Sequence, residues 1–283
     1  MLLGNAPCSW GVNYPTGNSY SWQQYLDQVA AAGYRGTELG PFGFLPKDPA
    51  VLRDELVRRG LSLIGATHVH TFGEAASAPT LMATLRELAT LLKGQGAKHL
   101  VIMDESNWYP EAAQGVLDSD GWSSLTTMVR EAQSLVEGEY GLKLSFHPHV
   151  GTGVEREAQI DRLLDETSVD LCFDTGHHAF WDQDPLAYME KVWDRVAYMH
   201  LKNVDSAVRA RVLDGSLSVN ESYDEGVMCP LPDGVVDIRA VMRFLEDRAY
   251  NGPVVVEQDY AVNAPETPEQ LARRNLAYMN EIA

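Results

Sequence analysis

Cysteine is scarce in this chain: Cys8, Cys172 and Cys229 are the only three, and they lie far apart. An odd count without a Cys-x-x-Cys pair excludes a disulfide framework, and it gives neither a structural zinc site nor a redox pair its spacing. Reduced thiols are expected. Basic residues are also few, 22 against 40 acidic ones, for a formal charge of -18 at pH 7. That excess would repel nucleic-acid phosphates and anionic lipid surfaces, so neither nucleic acid nor membrane is an expected partner. A negative field would gather metal cations and tolerate uncharged sugars, although acidity for solubility alone is the commoner reason for it. No unbroken apolar run reaches about 18 residues and no basic segment precedes an apolar one at the start, so the chain reads as soluble and cytoplasmic. Linkers and low-complexity tracts are missing too. So is a Gly-x-Gly-x-x-Gly loop after the first apolar run, where Cys8-Ser9-Trp10-Gly11 stands instead, which argues against an open, doubly wound sheet.

What is present is an ordinary globular composition, 45% hydrophobic over 283 residues, enough for one large domain spanning 1–283. Short apolar runs recur, each followed by a longer stretch with helical spacing, and that alternation predicts a parallel sheet with helices outside it. The runs end near Ser9, Leu39, His70, Asp104, His149, His177, Val204 and Asp259. Eight such units in a chain of this length predict an α/β fold, a single (β/α)8 TIM barrel, which typically needs about 250 residues. Ser77-Ala78-Pro79 marks one helix start, and Thr267-Pro268-Glu269-Gln270 marks another as a capping box. Leu85, Leu88, Leu91 and Leu92 fall on one helical face. One long connection, Asp205 to Asp237, breaks the rhythm, and loops of that length inside compact domains are usually functional.

Strands buried on both faces should be apolar, so ionisable residues at their C-terminal ends need a reason. Nearly every run here ends in them: Thr37-Glu38, His68-Val69-His70, Asp104-Glu105, His147-Pro148-His149, Asp174-Thr175-Gly176-His177, His200-Leu201-Lys202-Asn203 and Glu257-Gln258-Asp259. In a barrel those ends converge on the rim where active sites sit. Seven of the eight histidines lie in or next to these segments; His99 begins a strand and belongs to the opposite rim. Each residue has an ordinary structural alternative. His68 or His70 could be a core histidine bonded to a carbonyl, Asp174 could cap the next helix, and Glu257 could pair with Arg274. Their joint appearance at the same end of successive strands is what those alternatives handle badly. Two carboxylates with two imidazoles suit a borderline divalent ion, and His147, Asp174, His200 and Glu257, ending the last four strands, are the expected ligands.

Ala6-Pro7-Cys8-Ser9-Trp10-Gly11, Thr37-Glu38-Leu39-Gly40, His147 to Thr152, Asp174-Thr175-Gly176-His177, His200-Leu201-Lys202, the 230–234 loop and Glu257-Gln258-Asp259 together resemble the xylose-isomerase-like TIM barrels, and within them the inosose dehydratases. Isomerases and epimerases of that superfamily hold a metal with Glu, Asp, His and Glu from strands five to eight. Asp174, His200 and Glu257 match, while His147 replaces the first Glu. An epimerase uses both glutamates as paired acid and base, so the replacement disfavours that chemistry. The resemblance implies a hydro-lyase that removes water from 2-keto-myo-inositol or a similar keto-sugar through an enediolate. The implied cofactor is one divalent ion, Mn2+ or Co2+ first, with Zn2+ or Mg2+ as alternatives. Lys202, His177 and His149 are the expected proton-transfer groups; Glu38, His68, His70 and Trp10 the expected substrate contacts, with a plain core role the equal alternative for Trp10. Asn203 stands where such dehydratases usually carry Asp, and Val255-Val256 where they carry Glu-Ala. A sugar isomerase or epimerase on the same barrel, an abasic-site endonuclease and a non-catalytic sugar-binding barrel are the rivals; the acidic charge argues against the endonuclease. The expected partner is a small polyhydroxylated carbonyl compound, and the expected assembly a homodimer or homotetramer.

Overall fold

The computed structural model describes residues 2–105 and 117–282. Eight parallel strands close into a barrel: β1 (Leu3–Asn5), β2 (Gly36–Glu38), β3 (Ser62–His70), β4 (His99–Asp104), β5 (Lys143–Phe146), β6 (Asp170–Asp174), β7 (Val196–Leu201) and β8 (Val254–Val256). They pair in sequence order, and β8 closes on β1 with Leu3 opposite Val254 and Asn5 opposite Val256. The expected (β/α)8 architecture is therefore the observed one.

Inside the ring, Ala6, Ile64, Val101, Cys172, Tyr198 and Val255 form their own packed cluster. The Ile64 side chain fits because β1 and β2 present Gly4 and Gly36 to it. A Cβ on either would come within 2.2–2.3 Å of Ile64 Cδ1. Outside the ring, helices bury leucine stripes against the strands. Leu81, Leu85, Leu88 and Leu92 are all but fully buried on the helix Ala78–Gln95, as their spacing requires. The last helix, Pro268–Ile282, starts with the expected capping box, Thr267 N donating to Gln270 Oε1 at 2.8 Å and Gln270 N to Thr267 Oγ1 at 3.3 Å.

Several boundaries differ from the sequence reading. β1 stops at Asn5, and Pro7–Trp10 is a single 3-10 turn rather than the end of a strand. β6 stops at Asp174, because the Asp174 carboxylate caps a short helix, Thr175–Phe180, that takes His177 out of the strand. His147, His149 and Glu257 likewise lie just past their strands. The long connection after β7 is not structureless: it holds the helices Ser206–Leu213 and Val219–Asp224 and a small antiparallel sheet in which Asn203 pairs with Cys229. No described helix is long and apolar enough to cross a membrane.

Candidate active site

A strand's last residue turns its side chain either to the outer helices or into the barrel mouth, and alternation decides which. On β7 the inward positions are Tyr198 and His200; Lys202 follows at the same spacing. All three are buried, and Lys202 is only 2% exposed. His200 Nδ1 lies 3.2 Å from Glu257 Oε2 and 3.7 Å from Asp174 Oδ2. Donors bound to one ion at about 2.1 Å in tetrahedral geometry stand roughly 3.4 Å apart, so these separations suit a shared cation. His147 approaches ring to ring, 4.9 Å from His200 between centroids, with Nδ1 donating to the Cys172 carbonyl at 3.4 Å. That bond leaves Nε2 as the nitrogen available to a cation.

Asp174 resolves the choice between cap and ligand by doing both kinds of work with different oxygens. Oδ1 accepts from the Gly176 and His177 amides at 2.8 and 2.9 Å, whereas Oδ2 is buried without a hydrogen-bond partner. His200 Nδ1 is also buried and lacks a hydrogen bond. Buried polar atoms are rarely left so. Two such atoms that belong to adjacent donor residues fit an ion-binding role.

Electrostatics point the same way. Asp174, Glu257 and Asp259 face the Lys202 ammonium, whose Nζ lies 2.9 Å from Glu257, 3.2 Å from Asp259 and 3.5 Å from Asp174. Burial pushes the Asp174 carboxyl up to about 6 even though Lys202 and His200 pull it down. Burial opposes charge on His200, but Cys172, Glu257 and Glu38 raise its pKa well above the usual imidazole range. The pocket favours a positive charge at this position, and a divalent cation would supply it. Among the described residues, donor atoms of three sets lie within 4.8 Å of one another: Glu38-His200-Glu257, His147-Cys172-His200 and His147-His149-His177. Burial pushes the Cys172 thiol up to about 12, which keeps it protonated and a poor ligand. By their separations Asp174, His200 and Glu257 fit one divalent cation, and His147, ring to ring with His200, stands where it could complete the set.

The proton-transfer candidates are also brought together. Lys202 Nζ donates to His177 Nε2 at 2.8 Å, and the His149 and His177 rings lie 3.8 Å apart. Burial works against the Lys202 charge, but Asp259, Glu257 and Asp174 hold its pKa well above normal. Burial, with His149 and Lys202 adding to it, depresses His177 well below normal; burial and Lys202 bring His149 to about 4. An ammonium next to two neutral imidazoles results. Thr175 fixes the Lys202 backbone, donating to its carbonyl at 2.7 Å and accepting from its amide at 3.0 Å. Gly176 lets the capped helix approach, since a Cβ there would meet Lys202 Cβ at 2.4 Å.

Of the expected substrate contacts, His68 and His70 stand half-buried at the end of β3, ring to ring at 5.9 Å, with His68 Nε2 lacking a hydrogen bond. Two others do not reach the mouth. Trp10 is packed edge-on against Tyr25 at 5.0 Å and donates to Gln28, because its 3-10 turn directs it into the core. Glu38 lies behind His200, 1% exposed, and is engaged through both oxygens. Glu257 does not pair with Arg274, which binds Asp233 and Glu266 instead.

Sequence reasoning passed over the supports. Tyr198 could have been found, since it precedes His200 by two and shares its face. Asp104 ties the mouth together, its carboxylate accepting from the Phe72 amide at 3.0 Å and the Gly153 amide at 3.1 Å. Glu155 accepts from Trp181 and the Gly151 amide, each at 2.9 Å, and fixes the loop after β5. Asn275 joins Gln258 to Leu231. In the sequence Asp104 and Gln258 stand out only as strand-end residues, and because most of these partners are distant in sequence, no local signal tells which groups they bind.

The family described as xylose isomerase-like TIM barrel matches residues 26–282. An inosose dehydratase of Serratia proteamaculans (strain 568) is 31% identical over 100% of this chain and 98% of its own. Another, of Geobacillus kaustophilus (strain HTA426), is 32% identical over 96% of this chain and 92% of its own. Among solved structures, the IolI protein with a bound zinc atom superposes with a TM-score of 0.75 at 15% identity, covering 100% of this chain and 98% of that one, a likeness of fold. With a matching profile over nearly its whole length and relatives this similar, the chain belongs to the xylose isomerase-like TIM barrel family.

Proposed function

We propose that this enzyme is a metal-dependent hydro-lyase that removes water from a cyclic polyhydroxylated ketone of the 2-keto-myo-inositol kind. The observation that carries the reading is the pair of buried, unbonded donor atoms, Asp174 Oδ2 and His200 Nδ1, beside Glu257 at the barrel mouth. The full-length similarity to inosose dehydratases supports the substrate class.

A divalent cation held by His147, Asp174, His200 and Glu257 would polarise the ketone and stabilise negative charge on the substrate as its neighbouring C–H proton is removed. Mn2+ or Co2+ suits this mixed oxygen and nitrogen set, with Zn2+ the next choice. Proton removal falls to a neutral imidazole, His177 or His149. Lys202, held as an ammonium, delivers a proton to the departing hydroxyl, so that the C–O bond breaks and water leaves as the C=C bond forms. His68 and His70 line the β3 side of the mouth and bind hydroxyls. With His147 where the family's epimerases carry a carboxylate, an acid–base carboxylate pair across the substrate is lacking, which favours dehydration over epimerisation.

Incubating the pure protein with Mn2+ and 2-keto-myo-inositol should give the absorbance of a conjugated enone, the enol form of the 1,2-diketone that water loss leaves. Exchange of substrate protons with solvent and no water loss would instead support the isomerase or epimerase reading. Tight sugar binding with neither reaction would leave a binding protein.

A further inference from the structure

We infer that Glu38 is a positioning residue for the cation: it holds His200 with Nε2–H pointed at its own carboxylate and Nδ1 turned to the ion, and it thereby sets metal affinity. The inference rests on the reading of His200 as a ligand.

Glu38 ends β2 and His200 sits near the end of β7, so the contact spans the barrel rather than neighbouring strands. Its Oε1 lies 2.9 Å from His200 Nε2 and accepts from Tyr198 OH at 2.7 Å; its Oε2 accepts from Thr67 Oγ1 at 3.0 Å. A carboxylate with both oxygens committed, on a residue 1% exposed, has no freedom to reach a substrate. It is a buried anion in need of a cationic or strongly donating partner, and the His200 ring is that partner. A carboxylate accepts and never donates, so His200 Nε2 carries a hydrogen, and Nδ1 is the nitrogen left to offer a lone pair to a cation, which would displace any proton there. Nδ1 is the atom that lies between Asp174 Oδ2 and Glu257 Oε2 and has no hydrogen bond. Tyr198 and Thr67 orient the carboxylate, which orients the imidazole. Outer carboxylates of this kind fix the ring and raise its basicity, and their loss commonly weakens metal binding 10–100-fold.

The test is calorimetric titration of Mn2+ into wild type, Glu38→Gln, Glu38→Ala and Tyr198→Phe, with no substrate present. Glu38→Gln and Glu38→Ala should bind the ion about 10–100-fold more weakly. Tyr198→Phe, which removes one bond to Glu38 and leaves every ligand in place, should weaken it by a smaller factor and keeps the test alive if the Glu38 variants do not fold. Folded Glu38 variants with unchanged Mn2+ affinity would overturn the inference, as would unchanged affinity in Tyr198→Phe when neither Glu38 variant folds. Dehydratase activity is measured separately. A wild type that binds Mn2+ tightly but produces no dehydrated enone defeats the proposed reaction without touching this assignment.

Discussion

A buried ammonium must be surrounded by negative charge, and Lys202 meets three carboxylates within 3.5 Å. Two of them, Asp174 and Glu257, belong to the proposed cation site, where ammonium and cation would compete for the same oxygens. Lys202→Met should therefore lose about 10²–10⁴-fold in turnover, as the proposed proton donor is gone, yet bind Mn2+ more tightly than wild type. Weaker binding in calorimetry would mean that Lys202 organises the carboxylates instead. Asp174 adds a pH dependence whose direction follows from its pKa of about 6. The ionised form would hold the cation, so protons compete with it below that value, and the raised His200 pKa adds competition above it. Mn2+ affinity measured from pH 8 to pH 5 should therefore fall throughout and steepen below about 6, where Asp174 also takes up a proton; an affinity that does not change with pH would contradict this.

At the scale of elements, acidic side chains are used heavily as helix caps: Asp48, Asp118, Asp174, Asp184, Asp205 and Asp237 each accept from backbone amides at a helix start. Part of the charge excess is thus local helix chemistry, which net charge alone could not reveal. Asp174 is the one whose second oxygen faces the proposed cation site, and substitution can separate its two proposed tasks. Asp174→Asn keeps an acceptor for the Gly176 and His177 amides and should melt close to wild type while losing stoichiometric Mn2+. Asp174→Ala should lose the ion as well as about 0.5–2 kcal/mol of stability. A full complement of ion in the Asn variant would reduce Asp174 to a cap. Strand and helix existence was legible because apolar period and Leu85-Leu88-Leu92 spacing are local signals. The ends were not: nothing within Asp174-Thr175-Gly176-His177 tells a strand tip from a capped helix until the amides are placed. Which way Glu38 and Trp10 point depended equally on packing, since Trp10 is directed by its turn against Tyr25 and Glu38 by Tyr198, far along the chain.

Over the whole molecule, acid stability should be governed by buried neutral histidines. Burial holds His68, His99, His149 and His178 at about 4, against an ordinary value of 6.5. Below 6.5 the unfolded chain takes up protons that the native state refuses. The stability these groups contribute is complete above that value and is lost as pH falls toward about 4, at up to about 1.4 kcal/mol per pH unit each. Asp174, Glu105 and His200 run the other way, because their folded pKa values are raised and protonation favours the native state; His70, His147 and His177 are depressed as well, so the depressed imidazoles outnumber the raised groups and leave a net loss. The metal-free protein should melt at a lower temperature at pH 5 than at pH 7, and an unchanged or higher melting temperature at pH 5 would contradict this. The barrel also explains why the site was legible at all. Closing the ring turns eight scattered strand ends into one mouth, so residues as distant as Glu38 and His200 become neighbours. Elemental analysis of the purified chain after exposure to Mn2+ or Co2+ and removal of excess ion tests the central claim most directly. One ion per chain in the wild type, and none in Asp174→Asn or Glu257→Gln, is the predicted result; a wild type without stoichiometric ion, or variants that retain it, would contradict the shared cation site.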